Sequence, residues 1–277
     1  MRWREWQMRP LLVNPVMDFY AKSCNQRHFS PEKTCSAARP PAYWNATMIS
    51  VIFSCEHATC AVPDAFKEVL SHEHERITSP EGWDLGALNL AQALAMKFRT
   101  PLVHCEITRL ILDCYLQEGN EARWSDCSMK LNEAQREKLH ERQFLPHLSS
   151  LRQRITNELE RNPSVLHVSV HTFDPDLHPN LHLSLLYSEG RVGESTLALN
   201  WLRAMQERLL GLQITGNEVF YPEQTKTILD TLRKERSSAE YQGIELQVSN
   251  RLFLDNKPMR WESLKNGLFE SLRLVLD

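Results

Sequence analysis

The chain of 277 residues is 42% hydrophobic and 24% charged, with a net charge of −3 and a pI near 6.4. This composition is typical of a soluble globular protein, and without a basic excess we expect no nucleic-acid partner and no binding to an anionic membrane. No window approaches the roughly 18 apolar residues that a membrane-spanning helix needs, so no membrane insertion is expected.

The first 47 residues differ in composition from the rest of the chain. They contain seven Lys or Arg residues against three Asp or Glu residues, and the stretch ARPPAYWNAT lies just before the first clear strand pattern. They lack the long apolar segment of a secretory signal. Because neither helical nor strand periodicity is present, we predict that residues 1–47 form a poorly ordered extension that folding does not require. Residues 48–277 then form one domain.

The first half of this domain alternates between predicted strands and helices. Residues 49–53 are predicted as a strand, and LGALNLAQALAMKF as a helix with the preceding Asp84 as its N-cap. The short apolar runs PLVHCE and RLILDC are predicted as two more strands. Residues 132–162 have helical periodicity, with an interruption expected at Pro146 and an end at Pro163.

The second half continues the same alternation. SVLHVSV is predicted as a strand that runs into His171, HLSLLYS as another strand, and residues 195–210 as a helix. GIELQV is a late strand, and residues 259–276 close the chain as a helix. Strands separated by helices predict a three-layer α/β fold, with a mostly parallel sheet that is covered by helices on both faces.

The seven cysteines of the chain show no regular spacing. None of them forms a Cys-x-x-Cys pair, which argues against a zinc ribbon. In a chain of this length, cysteines without a pattern are typical of a reducing compartment. We therefore expect a cytoplasmic protein.

Three of the predicted strands end in, or contain, unusual polar residues. Glu56 and His57 follow the first strand, His171 ends another, and Glu245 lies inside the apolar run GIELQV. In open α/β sheets, ligands bind beyond the carboxyl ends of the strands. Two imidazoles and a carboxylate at one edge would suit a catalytic zinc site, which has three protein ligands and an open fourth position. The alternative is that each histidine is a structural residue with a local hydrogen-bond partner.

Five segments carry a family resemblance, and they follow one another as SCEHATCAVP, GWDLGALNLAQALA, TRLILD, VLHVSVHTFDP and YQGIELQV. Together they resemble the N-formylglutamate amidohydrolase family, from about Ser50 to about Leu252. The resemblance implies that residues 48–277 are a zinc-dependent catalytic domain with a fold akin to the zinc carboxypeptidases. It also implies cleavage of an amide bond in a small N-acyl amino acid.

The resemblance extends to the zinc ligands. His57 and His171 match the zinc-binding histidines of the family, and Asp84 matches the aspartate of its Asp-x-Gly-Ala segment. Two alternatives stay open, because Asp84 also suits a helix N-cap and Glu56 competes as the third ligand. Neighbours on a strand point to opposite faces, but in a turn Glu56 and His57 can face the same site. If it is not a ligand, Glu56 would orient an imidazole through a hydrogen bond.

Glu245 and Arg109 are the candidate catalytic residues. Glu245 resembles the general base of the zinc carboxypeptidases, and a carboxylate in an apolar strand is costly to bury unless it is paired or functional. It would accept a proton from the water that zinc acidifies and pass that proton to the leaving nitrogen. Arg109 matches a family arginine, and it would bind a substrate carboxylate or the tetrahedral oxyanion. The alternative for Arg109 is an ion pair with Asp113 or another carboxylate.

The chain departs from the family pattern just after Asp113. Where the family has an Asn-Arg pair, this sequence has Tyr115 and Leu116. Arg109 then remains the main candidate for carboxylate recognition, with Arg233 as a further candidate. We therefore expect weak activity on N-formylglutamate, which carries two carboxylates, and a preference for a substrate with an apolar or aromatic portion.

The sequence as a whole predicts a cytoplasmic zinc amidohydrolase that acts on a small-molecule substrate, an N-acyl amino acid. Two rival hypotheses are a carboxypeptidase-like enzyme with another substrate and a degenerate relative that binds a metabolite or metal without turnover. The two histidines and Glu245 favour an enzyme, whereas the missing Asn-Arg pair favours the degenerate relative.

Overall fold

A computed structural model describes residues 49–218, 220 and 225–277, which belong to the compact unit Asn45–Asp277. The prediction for residues 1–47 lies outside the described residues. In the part that is described, no helix combines the length and the apolar character needed to cross a membrane.

Strands and helices alternate along the described chain. The strands are β1 (Ile49–Cys55), β2 (Leu102–His104), β3 (Ser164–Phe173), β4 (Leu183–Leu186), β5 (Ile214–Gly216) and β6 (Tyr241–Ser249). The α-helices are α1 (His74–Thr78), α2 (Ala87–Phe98), α3 (Glu133–Leu139), α4 (Leu145–Leu159), α5 (Val192–Arg208), α6 (Ile228–Glu235), α7 (Arg251–Leu254) and α8 (Pro258–Leu276).

One sheet contains all six of these strands, in the order β2-β1-β3-β6-β4-β5. Neighbouring strands are parallel except for β4 and β6, which are antiparallel. The predicted α/β fold with a mostly parallel sheet is confirmed. Because β1, β2, β3 and β6 run in the same direction, their carboxyl ends meet at one edge of the sheet, where ligand sites form in such folds.

Helices cover both faces of the sheet, as predicted. On one face, α2, α5 and α8 enclose an apolar cluster that includes Phe53, Val168 and Leu246. On the other face, α4 and α6 enclose a second apolar cluster that includes Ile52 and Val165. The described strands therefore lie between two apolar layers, which is the three-layer arrangement.

The run RLILDC, residues 109–114, is not a strand, so that prediction is wrong. It forms turns, and its backbone groups bond to other loops, as Arg109 N–H donates to the Gly82 carbonyl (3.2 Å) and Asp113 N–H to the Arg123 carbonyl (2.9 Å). Ile111, Leu112 and Cys114 pack in the second apolar cluster. A loop whose backbone is hydrogen-bonded can bury apolar residues as well as a strand can, so composition alone misassigned the segment.

The long helix predicted over residues 132–162 is divided into three parts. A π-helix, His140–Phe144, joins α3 to α4, and Leu145 N–H donates to the His140 carbonyl five residues earlier. Pro146 is the second residue of α4, where a missing N–H is tolerated. The interruption predicted at Pro146 thus takes the form of a wider helical turn just before it, a feature that is often found at functional sites.

The face of the central strands that looks towards α4 and α6 changes from apolar to polar along its length. Near the amino ends it carries Ile52, Val165 and Tyr241. Alternation along each strand then places polar side chains on the same face towards the carboxyl ends. These buried side chains are Ser54, His167, Ser169, His171, Glu245 and Gln247.

Candidate metal centre and catalytic site

The turn after β1 carries Glu56 and His57, whose side chains are both buried. β1 ends at Cys55, so the two residues are free of the alternation of a strand. The His57 carbonyl accepts a hydrogen bond from Asp84 N–H (2.9 Å), which brings the segment before α2 against this turn.

Asp84 lies two residues before the N-cap of α2, so the predicted N-cap role is wrong. The N-cap is Gly86, which has a φ of 90°, and a Cβ at this position would lie 2.6 Å from the ring of Phe253. Glycine adopts this left-handed conformation readily, so the helix begins after Gly86, and Asp84 lies outside it. The Asp84 carboxylate instead turns to the sheet edge, where it accepts a hydrogen bond from Thr172 N–H (3.3 Å).

Three groups that can bind a metal converge at the carboxyl edge of the sheet, as the sequence predicts. Asp84 Oδ2 lies 2.8 Å from His171 Nδ1 and 3.4 Å from His57 Nδ1. One ligand atom from each residue falls within 4.8 Å of the others. All three side chains are buried, with exposed fractions of 1% for His57, 3% for Asp84 and 0% for His171.

Each imidazole turns Nδ1 towards Asp84 and Nε2 towards another hydrogen-bonding group. His57 Nε2 lies 2.8 Å from Asp113 Oδ1, and His171 Nε2 lies 2.9 Å from Ser169 Oγ and 3.3 Å from Glu56 Oε2. A carboxylate behind an imidazole fixes the orientation and tautomer of the ring and strengthens it as a ligand. Both rings are therefore held with Nδ1 facing the Asp84 carboxylate.

Glu56 lies on the side of His171 opposite to Asp84. Its Oε2 accepts a hydrogen bond from Ser169 Oγ (2.6 Å), and its Oε1 lies 3.3 Å from His147 Nε2. Burial raises the pKa of Glu56, but the hydrogen bonds of His147 and His171 outweigh burial and hold the pKa well below its ordinary value. Glu56 is therefore an ionised carboxylate behind one imidazole, and the geometry favours Asp84 over Glu56 as the third ligand.

The pKa values of Asp84 and His171 are shifted in opposite directions. Burial raises the pKa of Asp84, but the charges of His57 and Arg109 and a hydrogen bond from His171 outweigh burial and hold it well below its ordinary value. Burial lowers the pKa of His171, but hydrogen bonds to Asp84 and Glu56 raise it well above its ordinary value. Asp84 is thus ionised, and a metal at His171 Nδ1 would have to displace a proton.

Glu245 is buried on β6, and its Cα pairs with that of Ser169 on β3. The Tyr115 hydroxyl donates a hydrogen bond to Glu245 Oε2, and the Gln247 side-chain amide donates one to Oε1. The Tyr115 ring lies 4.7 Å from the His171 ring, centroid to centroid. Tyr115 therefore contacts both the candidate base and a candidate metal ligand.

Arg109 contacts two of the three residues that offer ligand atoms. Its Nη1 lies 2.9 Å from His57 Nδ1 and 3.2 Å from Asp84 Oδ1. Its Nε donates to the Glu81 carbonyl (3.0 Å) and its Nη2 donates to the Pro80 carbonyl. A guanidinium nitrogen can only donate, so Arg109 occupies the His57 nitrogen that a metal would need. The ion pair that was considered for Arg109 is formed, with Asp84.

Arg233 takes part in a separate ion-pair network, in which Glu194 is buried and Arg233 is partly buried. Its guanidinium bonds to Glu194 Oε1 (2.8 Å), to Asp230 Oδ1 (3.0 Å) and to the Gly243 carbonyl (2.6 Å). These contacts join α5, α6 and β6. The hypothesis that Arg233 helps to bind substrate therefore has no support in this arrangement.

A family model described as N-formylglutamate amidohydrolase matches residues 49–253. The chain belongs to the N-formylglutamate amidohydrolase family. The match spans the segments that hold His57, Asp84, His171 and Glu245, and the resemblance found in the sequence is confirmed. Membership of this family supports an amidohydrolase activity for the chain.

Two solved structures share the fold of this family member. One is gene product Atu2144 from Agrobacterium tumefaciens, at 22% identity and a TM-score of 0.69 over 83% of this chain and 90% of that one. The other is N-formylglutamate amidohydrolase from Ralstonia eutropha JMP134, at 14% identity and a TM-score of 0.60 over 82% of this chain and 93% of that one. At these identities the likeness supports the fold. Among curated proteins, none matches the chain.

The donor set of this family member fits zinc. Two imidazole nitrogens and one carboxylate are ligands that zinc prefers, and three of them leave a position open for water or substrate. The Asp113 and Glu56 carboxylates contact Nε2 of His57 and of His171, as carboxylates commonly do for zinc-binding histidines. A cation and the Arg109 guanidinium repel each other, so metal binding would require Arg109 to leave His57 Nδ1.

Replacing Glu56 by glutamine is expected to weaken zinc binding by about 10–100-fold, the usual effect of losing a partner behind a metal ligand. Glutamine keeps the size of the side chain but removes the charge that orients His171. The affinity is measured by competition with a chromophoric chelator. Glu118→Gln is the matched control, because Glu118 pairs with His140 (3.1 Å) and is 62% exposed. Equal affinities of Glu56→Gln and wild type would contradict a supporting role for Glu56.

Proposed function

We propose that the chain is a zinc-dependent amidohydrolase that cleaves the amide bond of a small N-acyl amino acid. The observation that carries this proposal is the convergence of His57 Nδ1, His171 Nδ1 and Asp84 Oδ2 at the edge of the sheet, with Glu245 on the same polar strand face. Two imidazoles and a carboxylate form a ligand set, and a carboxylate outside that set is available as a base.

His57, Asp84 and His171 would hold the metal. When bound, zinc would polarise the scissile carbonyl as a Lewis acid and lower the pKa of the attacking water to about 7. Asp113 and Glu56 keep the two imidazoles turned so that both Nδ1 atoms face this position. The ligand geometry is thus set by hydrogen bonds that the protein itself supplies.

Glu245 would act as the general base. Its carboxylate would take the proton from the attacking water and deliver it to the nitrogen of the leaving amine, so the base is regenerated at the end of the cycle. The Arg109 guanidinium, next to His57, would offer N–H donors to the negative charge that develops on the carbonyl oxygen. Displaced from Nδ1 by a cation, Arg109 would remain close enough for this role because Glu81 and Pro80 anchor its other nitrogens.

The environment of Tyr115 and Leu116 supports a substrate with an apolar side chain. Tyr115 presents its ring to both imidazoles, and Leu116 packs in the second apolar cluster. Arg233 is held by Glu194, so among these residues Arg109 is the one candidate at the site for recognising a carboxylate. A second substrate carboxylate, as in N-formylglutamate, would therefore lack a matched arginine.

The substrate experiment is a panel of N-formyl and N-acetyl amino acids compared by kcat/KM. We expect N-formyl-leucine and N-formyl-phenylalanine to exceed N-formylglutamate by about 10- to 150-fold, which corresponds to the roughly 1.5–3 kcal/mol of one charge-assisted hydrogen bond. The control is N-formyl-glutamine, which has the size of N-formylglutamate without its second charge. A tenfold preference for N-formylglutamate over the leucine and phenylalanine substrates would contradict the role of Tyr115 and Leu116.

A second candidate function is binding of an N-acyl amino acid without turnover. The observation that favours it is that Arg109 contacts His57 Nδ1 and Asp84 while Tyr115 contacts Glu245, so the reactive atoms already have partners. Isothermal titration with the same panel separates the two functions. Heat of binding without product release in the zinc-loaded protein would support the second candidate.

A further inference from the structure

We propose that Tyr115 is a positioning residue for the reaction, which holds the Glu245 carboxylate in place through its hydroxyl group. This inference rests on the proposed function of Glu245 as general base. Neither the spacing of Tyr115 in the sequence nor the family match assigns it this role. The contacts of its hydroxyl, its ring and its backbone carry the argument.

The side chain of Tyr115 joins the two halves of the site. Its hydroxyl donates to Glu245 Oε2, and Tyr115 as a whole is 2% exposed. Its ring centroid lies 4.7 Å from that of His171 and 5.7 Å from that of His57, with interplanar angles of 65° and 68°. These are favoured edge-to-face arrangements, so the ring has a defined place against both imidazoles.

The backbone of Tyr115 is anchored to the same assembly. Its N–H donates to Asp113 Oδ1 (2.9 Å), the oxygen that lies 2.8 Å from His57 Nε2. Its carbonyl accepts a hydrogen bond from Ile228 N–H (2.7 Å), at the start of α6. Leu116, the next residue, forms a β-bridge with Thr227. The tyrosine is therefore fixed along the main chain as well as by its ring.

A glutamate needs such support if it is to act as a base. Ordering a glutamate side chain costs rotamer entropy, and a base must lie within hydrogen-bond reach of the proton that it takes. Tyr115 and Gln247 each donate to a different oxygen of Glu245. A carboxylate has about four lone-pair positions. Two donors therefore fix the group and still leave lone pairs for the proton of water.

The test uses Tyr115→Phe, which keeps the ring against the imidazoles and removes only the hydroxyl. With the best substrate of the panel, we expect kcat to fall about tenfold or more, the effect of losing a hydrogen bond to a charged group, while KM and zinc affinity stay unchanged. Tyr241→Phe is the matched control, because the Tyr241 hydroxyl is also buried and lies 2.8 Å from His167 Nδ1, outside the site. It should keep the wild-type kcat.

The double variant with Glu245→Gln decides whether Tyr115 acts through Glu245. If it does, Tyr115→Phe lowers kcat no further once the base has been removed, whereas an additive loss would overturn the inference. Wild-type kcat in Tyr115→Phe, or an effect on KM or zinc affinity alone, would overturn it too.

If Tyr115→Phe unfolds at too low a temperature for kinetics, the melting temperature of the double variant decides. A melting temperature higher than that of Tyr115→Phe supports the coupling, because Glu245→Gln removes the buried charge that lost its donor. A melting temperature no higher than that of Tyr115→Phe overturns the inference.

These outcomes separate this inference from the proposed function. A wild-type protein that turns over no member of the panel would overturn both. An active wild type with an inactive Glu245→Gln and a fully active Tyr115→Phe would leave the proposed function intact and remove Tyr115 from it.

Discussion

Replacing Glu245 by glutamine is expected to lower kcat by about 10²–10⁴-fold, the usual contribution of general acid–base catalysis, while zinc stays bound. Glutamine has the size of glutamate and can still hydrogen-bond to Tyr115 and Gln247. It cannot take a proton from water. Glu245 contacts these two residues and none of the proposed metal ligands in the hydrogen bonds described. The measurement is steady-state kinetics together with elemental analysis of the same samples.

Glu240→Gln is the control for this experiment. Glu240 lies just before β6, and its exposed carboxylate bonds to Ser237 Oγ (2.7 Å), so the same chemical change is made far from the polar strand face. Its kcat should equal that of wild type. Near-normal turnover by Glu245→Gln would remove Glu245 from the mechanism, and a loss of zinc in that variant would show that Glu245 supports the metal instead.

The second large effect is expected from the two histidines. Purified protein should contain about one zinc per chain, and His57→Ala and His171→Ala should each reduce this to almost none, because two protein ligands do not make a stable zinc site. Both residues offer Nδ1 to the same carboxylate oxygen of Asp84. Elemental analysis after gentle purification measures the zinc content.

His167→Gln is the matched control for the histidine variants. His167 is buried on β3 four residues before His171, but it bonds to Ser54 Oγ (2.7 Å) and to the Tyr241 hydroxyl (2.8 Å). Burial lowers its pKa to about 4, so it is neutral. This variant should keep its zinc. Wild-type zinc content in His57→Ala and His171→Ala would mean that the metal centre has been assigned to the wrong residues.

The central part of the fold follows from short apolar runs in the sequence. β1, β3 and β6 are each buried along most of their length, so ISVIFSC and SVLHVSV read as strands without tertiary information. β5 and α6 gave no clear signal, because β5 has only three residues and α6 only eight. In such short elements, tertiary packing decides the structure and local preference does not.

The candidate site was predicted in part for the same reason. His57, His171 and Glu245 interrupt or follow apolar strands, so their positions stand out in the sequence. The hydrogen bonds of Tyr115 to Glu245 and of His147 to Glu56 were not predicted, because they join residues 130 and 91 positions apart. The π-helix before His147 also has no recognisable signal in a single sequence. Contacts of this kind become visible only when the elements are assembled.

The order of strands in the sheet has a consequence for synthesis of the chain. Of the strands that the structure describes, β6 is the last to leave the ribosome, yet it lies between β3 and β4. Domains fold as units while translation proceeds from the amino terminus, and an unpaired strand edge promotes aggregation. Until Ser249 has emerged, β3 has an open edge, and His167, Ser169 and His171 lack the strand that buries them. Until β6 has emerged, the nascent chain therefore has an open edge in the middle of its sheet.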